Sequence, residues 1–560
     1  MSRAIALILT DLEQTRFGLP SATTERLAGQ SILEHTIGRV AKIRAIRSIV
    51  LVHPQGQDPL ALVKGRKFGK SLASHADLAG LWDRHLPMRQ AARKWAMTAW
   101  RGGLWGATCF DELLAADALV GAMDHYGADS ALLVGADWPL VDPDLCQEIL
   151  DRHLQSPQAF AFTFCQAPPG LAGAAIGRPL LDEIARKQGL LGQMLAYTPS
   201  APQADPIGRD VCVQVDPQVR MCHYRLIFDT KRSRKLIKSI ASDLGEQITF
   251  ASAKQVAESI DAMASTDSLD DGLLPQVVSL ELTPRRLVCG PVVPQHYVDL
   301  QRKEMPIDLA LSVVEQLGVD GDTVLTLGGL GDALLHEDWF AIVYAAREAG
   351  VLGVALQTDL LVDAAVLEQL MTAPIDVISV RLNADTAKLY NTVMGVDRFS
   401  EVVKSLQSLL TRRHARSHGD ARAGSEVPAG LPWIVPHLVK TDQTLTDMET
   451  FYDRWCHFTG HAVIEPAQTG CGLAPALSRI SMAPPRRHAC RQIQRRLTIH
   501  SDGCVAQCDQ DWLAKGEVAD AGVKSLKQIW ASMQAFRQSH KEGRWDQNPL
   551  CQRCQEWFRP

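Results

Sequence analysis

Two successive series of apolar, β-prone runs, separated by helical patterns, constrain this chain more than any other feature of its sequence. In residues 1–245 the runs Ala4–Leu9, Ser48–His53, Ala131–Gly135 and Phe160–Phe164 alternate with helical patterns at Ser31–Ile43, Phe110–Tyr126, Leu145–Leu154 and Arg234–Asp243. A strand that reaches its neighbour through a helix pairs parallel, so this part predicts an α/β doubly wound sheet. The second series runs through Val277–Thr283, Thr323–Leu327, Val354–Thr358, Val377–Leu382, Trp433–Val439 and His461–Ile464. Its intervening helices include Leu309–Leu317, Trp339–Ala349 and Phe399–Leu410, and it predicts a closed or partial β/α barrel. Residues 251–275, small, polar and acidic, read as a linker with room for a short helix. Residues 412–430, rich in Gly, Ala and Arg and free of aromatics, read as a disordered insertion. The expected layout is therefore residues 1–250, the linker 251–275, residues 276–480 and a tail of residues 485–560, in keeping with about 150 residues per domain.

Charge and composition narrow the function classes. Lys and Arg number 58 against 63 Asp and Glu, a net charge of −5, which gives no reason to expect a nucleic-acid partner. Ala4–Leu9 is too short to span a bilayer or to serve as a signal-peptide core, so no membrane association and a cytoplasmic, reducing location are expected. In that compartment the 13 cysteines are thiols or metal ligands rather than disulfides. Cys109, Cys146, Cys165, Cys212, Cys222 and Cys456 are isolated and read as small buried hydrophobes, with Cys289 set apart from them.

The last 90 residues differ, holding Cys471, Cys490, Cys504, Cys508, Cys551 and Cys554. Four of them form a pattern, Cys490-x12-Gly503-x4-Cys508 followed by Cys551-x2-Cys554. Arg496–His500 alternates like a strand, Ser501-Asp502-Gly503 supplies a hairpin turn, and Cys508 lies on the returning side. Ser525 to Gln528 reads as a capping box, followed by the apolar helix face Leu526, Ile529, Trp530, Met533 and Phe536. So short a segment buries little core, which makes a metal staple physically reasonable. Four thiolates suit Zn²⁺ or an iron–sulfur cluster, and the spacing leaves that choice open.

The segments HACRQIQRRLTIHSDGCVAQCDQDW, SLKQIWASMQAFRQSHKEG and NPLCQRC resemble a SPASM domain, the C-terminal extension of many radical S-adenosylmethionine (SAM) enzymes. The resemblance implies one auxiliary 4Fe-4S cluster on Cys490, Cys508, Cys551 and Cys554, since Pro560 stands at the next expected ligand position. Upstream, VVSLELTP, LTLGGLGDALLHEDW and DVISVRLNADTAKLYNTVMG resemble a radical SAM barrel, which places Gly329, Gly331 and Asp332 at the turn that binds the SAM amino group. The family's three-cysteine motif falls on Arg285, Cys289 and Val292, so only one thiol remains; Asp359 and Arg381 also replace the usual Asn and Ser. The resemblance thus implies a barrel without its SAM-cleaving cluster, with Cys289 a vestige or a core thiol.

GADSALLVGADWPLVDPDLCQEIL and RLIFDTKRSRKLIKSI resemble nucleotidyltransferases of the GT-A fold, placing Asp137 and Asp229 as Mg²⁺ carboxylates. The loop from Thr10 to Pro20 departs from that family, with Asp11 and Glu13 facing the expected triphosphate; the basic run Lys64 to Lys70 could compensate or could be a solvated face. Asp137 could equally serve as a turn or capping carboxylate near Asp142-Pro143. Together the parts resemble the spiro-SPASM proteins. Three functions follow: a cluster-bearing scaffold or electron relay with a peptide or protein partner, an active radical SAM enzyme, or a Mg²⁺-dependent nucleotidyltransferase of the sugar-nucleotide type. SAM and Mg²⁺ stay open as cofactors beside the cluster, and the sequence says nothing of oligomeric state.

Overall fold

The structure, a computed structural model, describes residues 4–97, 99–100, 102–112, 115–187, 189–194, 211–265, 273–417 and 430–559. The chain divides between residues 271 and 272 into two compact units.

The first unit is built on a seven-stranded sheet of β1 (Ala4–Leu9), β2 (Ser48–Pro54), β3 (Ser71–Asp77), β4 (Ser130–Gly135), β5 (Phe162–Cys165), β6 (Ala174–Gly177) and β7 (Cys212–Val213), in the order β3-β2-β1-β4-β6-β5-β7. β1 is buried along its whole length and pairs parallel with β2 and β4, as an apolar run without alternation requires. The sheet is mixed rather than parallel throughout. β6 inserts antiparallel between β4 and β5, and its sequence AAIG carries too little β-branched or aromatic character to announce a strand. The helix Ile32–Val40 starts at a capping box between Ser31 and Glu34. The segment expected to be a linker is helical over Ala253–Ser265. Ala253, Val256, Ala257 and Ile260 bury in the first unit's core, so the apolar face of that helix outweighs the polar composition around it. Residues 266–272 of the expected linker lie outside the described residues.

The second unit carries a nine-stranded sheet: β8 (Val277–Leu280), β9 (Val324–Leu327), β10 (Gly353–Thr358), β11 (Val377–Val380), β12 (Trp433–Lys440), β13 (Val463–Pro466), β14 (Arg496–Ile499), β15 (Cys504–Ala506) and β16 (Ala519–Asp520). The order is β13-β12-β11-β10-β9-β8-β14-β15-β16. The six strands β8–β13 pair parallel with their neighbours, as the second βα series predicts, and the order is open rather than closed, so this sheet stands where the barrel was expected and is termed the barrel. Its first strand has a second parallel neighbour from the tail, with Val277 opposite Arg496 and Leu280 opposite Ile499. β15 and β16 then continue the sheet antiparallel.

This pairing corrects the picture of a tail with little core of its own. Leu497, Ile499, Val505, Leu526, Ile529, Trp530 and Met533 bury in the same cluster as Val278, Leu280 and Leu327. The helix Leu526–Ser532 begins at the expected Ser525–Gln528 capping box. The barrel supplies apolar surface that the tail alone lacks, against which this helix and hairpin bury. Part of the expected disordered insertion is helical. The helix Phe399–Ser417 runs on through residues 412–417, where Arg and Ala favour helix, and residues 418–429 lie outside the described residues. Among the described residues no helix is long and apolar enough to cross a membrane.

Because Leu526 is fully buried, Leu526→Ala should cost the second unit about 2–5 kcal/mol, and equally in chelator-treated protein. Denaturant titration checks this; an effect confined to metal-loaded protein would mean that the metal, not the barrel, holds the tail.

Candidate functional site

The four patterned cysteines come together in the tail. Cys490 sits at the N-cap of the short helix Arg491–Arg495, and Cys508 two residues beyond β15. Cys551 lies in the helix Pro549–Arg553, capped by Asn548, and Cys554 just past its end. Cys490, Cys508 and Cys554 share one small apolar cluster with Ile493, Phe536, Trp557 and Phe558. Cys551 is within electrostatic reach of Cys554 and Cys490. Burial pushes the Cys490 thiol up to about 11 and that of Cys551 up to about 12, and raises Cys508 well above the ordinary thiol range. Desolvated thiols of this kind ionise when a metal centre takes the charge. Cys504 belongs elsewhere: its thiol is raised by burial and by Glu517, Asp502 and Asp511.

A fifth thiol, which the cysteine spacing does not single out, joins the set. Cys471 is the interacting neighbour of Cys554, and the pairing raises the Cys471 thiol while holding Cys554 below the ordinary thiol range. It also lies within electrostatic reach of Cys508 and Cys551. The tripeptide Gly470-Cys471-Gly472 has φ of 55°, 54° and 93°, so a cysteine is held in the left-handed region at a cost of about 1–2 kcal/mol. Gly470 is required by close packing, since a Cβ there would stand 2.5 Å from the Trp512 ring. A cysteine between two glycines is the sequence signal that could have marked this loop.

Among the described residues no three His, Cys, Asp or Glu side chains converge closely enough for a single metal ion. Zinc on four thiolates needs each sulfur at about 2.3 Å from one point. A cubane gives each thiolate its own iron and needs a wider frame. Sulfur-only donors in an apolar enclosure suit zinc or an iron–sulfur cluster by their chemistry.

The barrel mouth is differently furnished. Gly331 is explained by packing: a Cβ there would lie 1.7 Å from the Thr283 carbonyl. The Asp332 carboxylate accepts from the Asp359 backbone at 2.8 Å, Thr358 Oγ1 at 3.0 Å and the Leu334 backbone at 3.1 Å. Burial, reinforced by Asp359, raises it to about 6. Arg381 donates from Nη2 to the Gly329 carbonyl at 2.8 Å and from Nη1 to the Gly331 carbonyl at 3.1 Å; Gln357 Oε1 accepts a third bond at 2.8 Å. Arg286 binds both Asp359 oxygens, one at 2.9 Å, in a buried pair. Arg285 instead pairs with Glu304 on the surface. Cys289 is exposed, which excludes the core-thiol alternative, and Val292 packs against the barrel core. A cleft of about 670 Å³ opens beside this loop, lined among others by Arg285, Arg286, Leu287, His296 and Tyr297.

In the first unit Asp137 and Asp229 are electrostatic neighbours, as the resemblance implies. Each has its own guanidinium. Arg16 Nη2 lies 3.4 Å from Asp137 Oδ1. Arg225 grips Asp229 through Nε at 3.1 and 3.0 Å and Nη2 at 2.6 Å. Glu112, which the sequence reading passed over, binds Arg225 at 2.6 Å, Arg93 at 2.7 Å and Arg16 at 3.7 Å. Burial raises Asp229 to about 6, although Arg225 opposes the shift. Asp137 is thus an ion-pair partner, while Asp142 caps the helix Pro143–Gln155. In the loop, Asp11 Oδ1 accepts from the Glu13 and Gln14 backbone and from Gln57. In the basic run, Arg66 pairs with Glu34 and Lys70 reaches the Ile46 carbonyl.

Comparison with known proteins bears mainly on the tail. An uncharacterized protein of Treponema pallidum (strain Nichols) is 26% identical over 134 residues, 24% of this chain; the chain spans about a third (37%) of that relative's length. Streptococcus suis SuiB bound to the precursor peptide SuiA has a TM-score of 0.39 at 11% identity, over 54% of this chain and 76% of SuiB. BtrN in complex with AdoMet and 2-DOIA gives 0.34 at 14%, over 50% and 92%. A cytidylyltransferase from Leptospira borgpetersenii gives 0.30 at 16%, over 48% and 97%. At these scores none of them says what the present chain binds or does. The match that counts is to the family model: residues 490–555 match SPASM, an iron-sulfur cluster-binding domain.

Proposed function

We propose that this chain carries one 4Fe-4S cluster on Cys490, Cys508, Cys551 and Cys554. The barrel beneath it works as a scaffold without SAM cleavage, and the protein acts as an electron relay toward a peptide or protein partner. One contrast carries the reading. The two other sites are neutralised from within by arginines, whereas the tail gathers soft donors around a desolvated space. Arg381 spends its guanidinium on the Gly329 and Gly331 carbonyls, where the family's turn would meet the SAM ammonium, and Asp332 is saturated by its own chain. Arg225 and Arg16 likewise take Asp229 and Asp137, so a Mg²⁺ ion would first have to displace them. When bound, the cluster supplies one-electron transfer; the chain's own part is to enclose it, to present its sulfurs and to hold Cys471 against Cys554.

Iron and acid-labile sulfide should come to about four of each per chain after anaerobic purification. Cys551→Ser with Cys554→Ser should abolish both, and Cys289→Ser should leave both unchanged. About eight irons, or zinc in place of iron, would contradict the proposal. For the first unit, the buried-pair reading predicts that Asp229→Ala costs about 3–5 kcal/mol in a denaturant titration, because Arg225 loses one of its two carboxylate partners and keeps only Glu112. A metal-binding carboxylate crowded against Asp137 would give the opposite sign. Mg²⁺-dependent pyrophosphate release from CTP that is lost in Asp137→Ala would restore the nucleotidyltransferase reading.

A further inference from the structure

Two side chains outside the ligand set are aimed at one of its sulfurs. Gln507 Nε2 donates to Cys551 Sγ at 3.4 Å, and His540 Nε2 lies 3.3 Å from the same sulfur. Both residues are buried, at 7% and 1% exposure. The orientation of the Gln507 amide is fixed by its neighbours. Asn548 accepts from the backbone of Leu550 and Cys551, and its own Nδ2 donates to Gln507 Oε1 at 2.8 Å. That leaves the Gln507 nitrogen, not its oxygen, facing the sulfur. His540 is held by Phe536, with ring centroids 5.0 Å apart, and its buried Nδ1 has no hydrogen-bond partner among the described residues. A metal-bound thiolate can only accept. With no partner at Nδ1, the ring proton is best placed on Nε2, pointing at Cys551.

We propose that Gln507 and His540 are positioning residues that set the reduction potential of the tail's cluster through hydrogen bonds to the Cys551 sulfur. The inference rests on the cluster reading above. Adding one electron to a cluster adds one negative charge, and donors on its sulfurs stabilise that charge, so the potential rises. Cys490 accepts from the Gln492 and Ile493 backbone, Cys508 from that of Gln510, and Cys554 from that of Glu556 with the Cys471 thiol beside it. Cys551 is set apart by two side-chain donors. Arg487 adds its charge beside the same ligand, donating to the Cys551 carbonyl at 2.9 Å while its guanidinium lies 5.2 Å from the Trp545 ring centroid. The arrangement suits a centre that accepts electrons readily more than one held at very low potential.

Dithionite titration of the whole protein, followed by electron paramagnetic resonance of the reduced cluster, tests this. Gln507→Leu and His540→Leu should each move the midpoint to more negative potential, and the double variant further, with iron per chain unchanged. His540→Gln, which restores an N–H, should stay near the wild type. Leucine variants with full iron and an unmoved midpoint would overturn the inference and leave the cluster reading standing. A wild-type protein that holds no cluster would overturn the reading beneath it. If the leucine variants lose iron, the wild type decides: nitrogen-labelled histidine should show hyperfine coupling to the reduced cluster, and its absence would overturn the inference.

Discussion

A guanidinium buried away from water must find its acceptors inside the protein, and in this chain four of them take groups at the two sites expected to bind ligands. Arg381 is drawn to the carbonyls of the glycine-rich turn and Arg286 to Asp359. Arg225 and Arg16 meet Glu112, Asp229 and Asp137. Breaking such a pair strands a charge in a medium that solvates it poorly, at a cost of about 3–5 kcal/mol. A ligand entering either site would have to offset that cost before gaining any affinity. The glycines and aspartates of both sites are in place, and arginines already take part of their bonding capacity.

The tail works by the opposite rule. Its thiols are buried with apolar and aromatic neighbours, and desolvation disfavours their ionised form until a metal centre takes up the charge. The hairpin and helix dock on the barrel's own sheet and share its core. The cysteines are therefore presented by a scaffold that already has a core, and Cys471 is held against Cys554 at the expense of local backbone strain.

Much of the fold was legible because continuous apolar runs leave little choice. Ala4–Leu9 is a strand to the residue, and Val377–Leu382 ends only two residues early, at Val380. What escaped was set by distant partners. β6 is a four-residue run made a strand by β4 and β5 on either side of it, and the pairing of β14 with β8 joins segments more than 200 residues apart. The four patterned cysteines were readable from spacing. Cys471 was not, since it precedes Cys490 by 19 residues and belongs to no spacing rule. The proximity of Asp137 and Asp229 was also legible, but the arginines that neutralise them were not. Arg225 lies four residues before Asp229, within the segment that carried the resemblance, and nothing in a motif reports where its side chain goes.

The most direct test is a Mössbauer spectrum of the whole protein loaded with isotopically enriched iron, recorded with and without added S-adenosylmethionine. A barrel closed by arginine and a tail with a complete set of sulfurs predict one 4Fe-4S signal, every iron sulfur-ligated, indifferent to the nucleoside. A second signal, in which one iron changes its parameters when the nucleoside is added, would show that the barrel mouth still takes a ligand and would contradict the account.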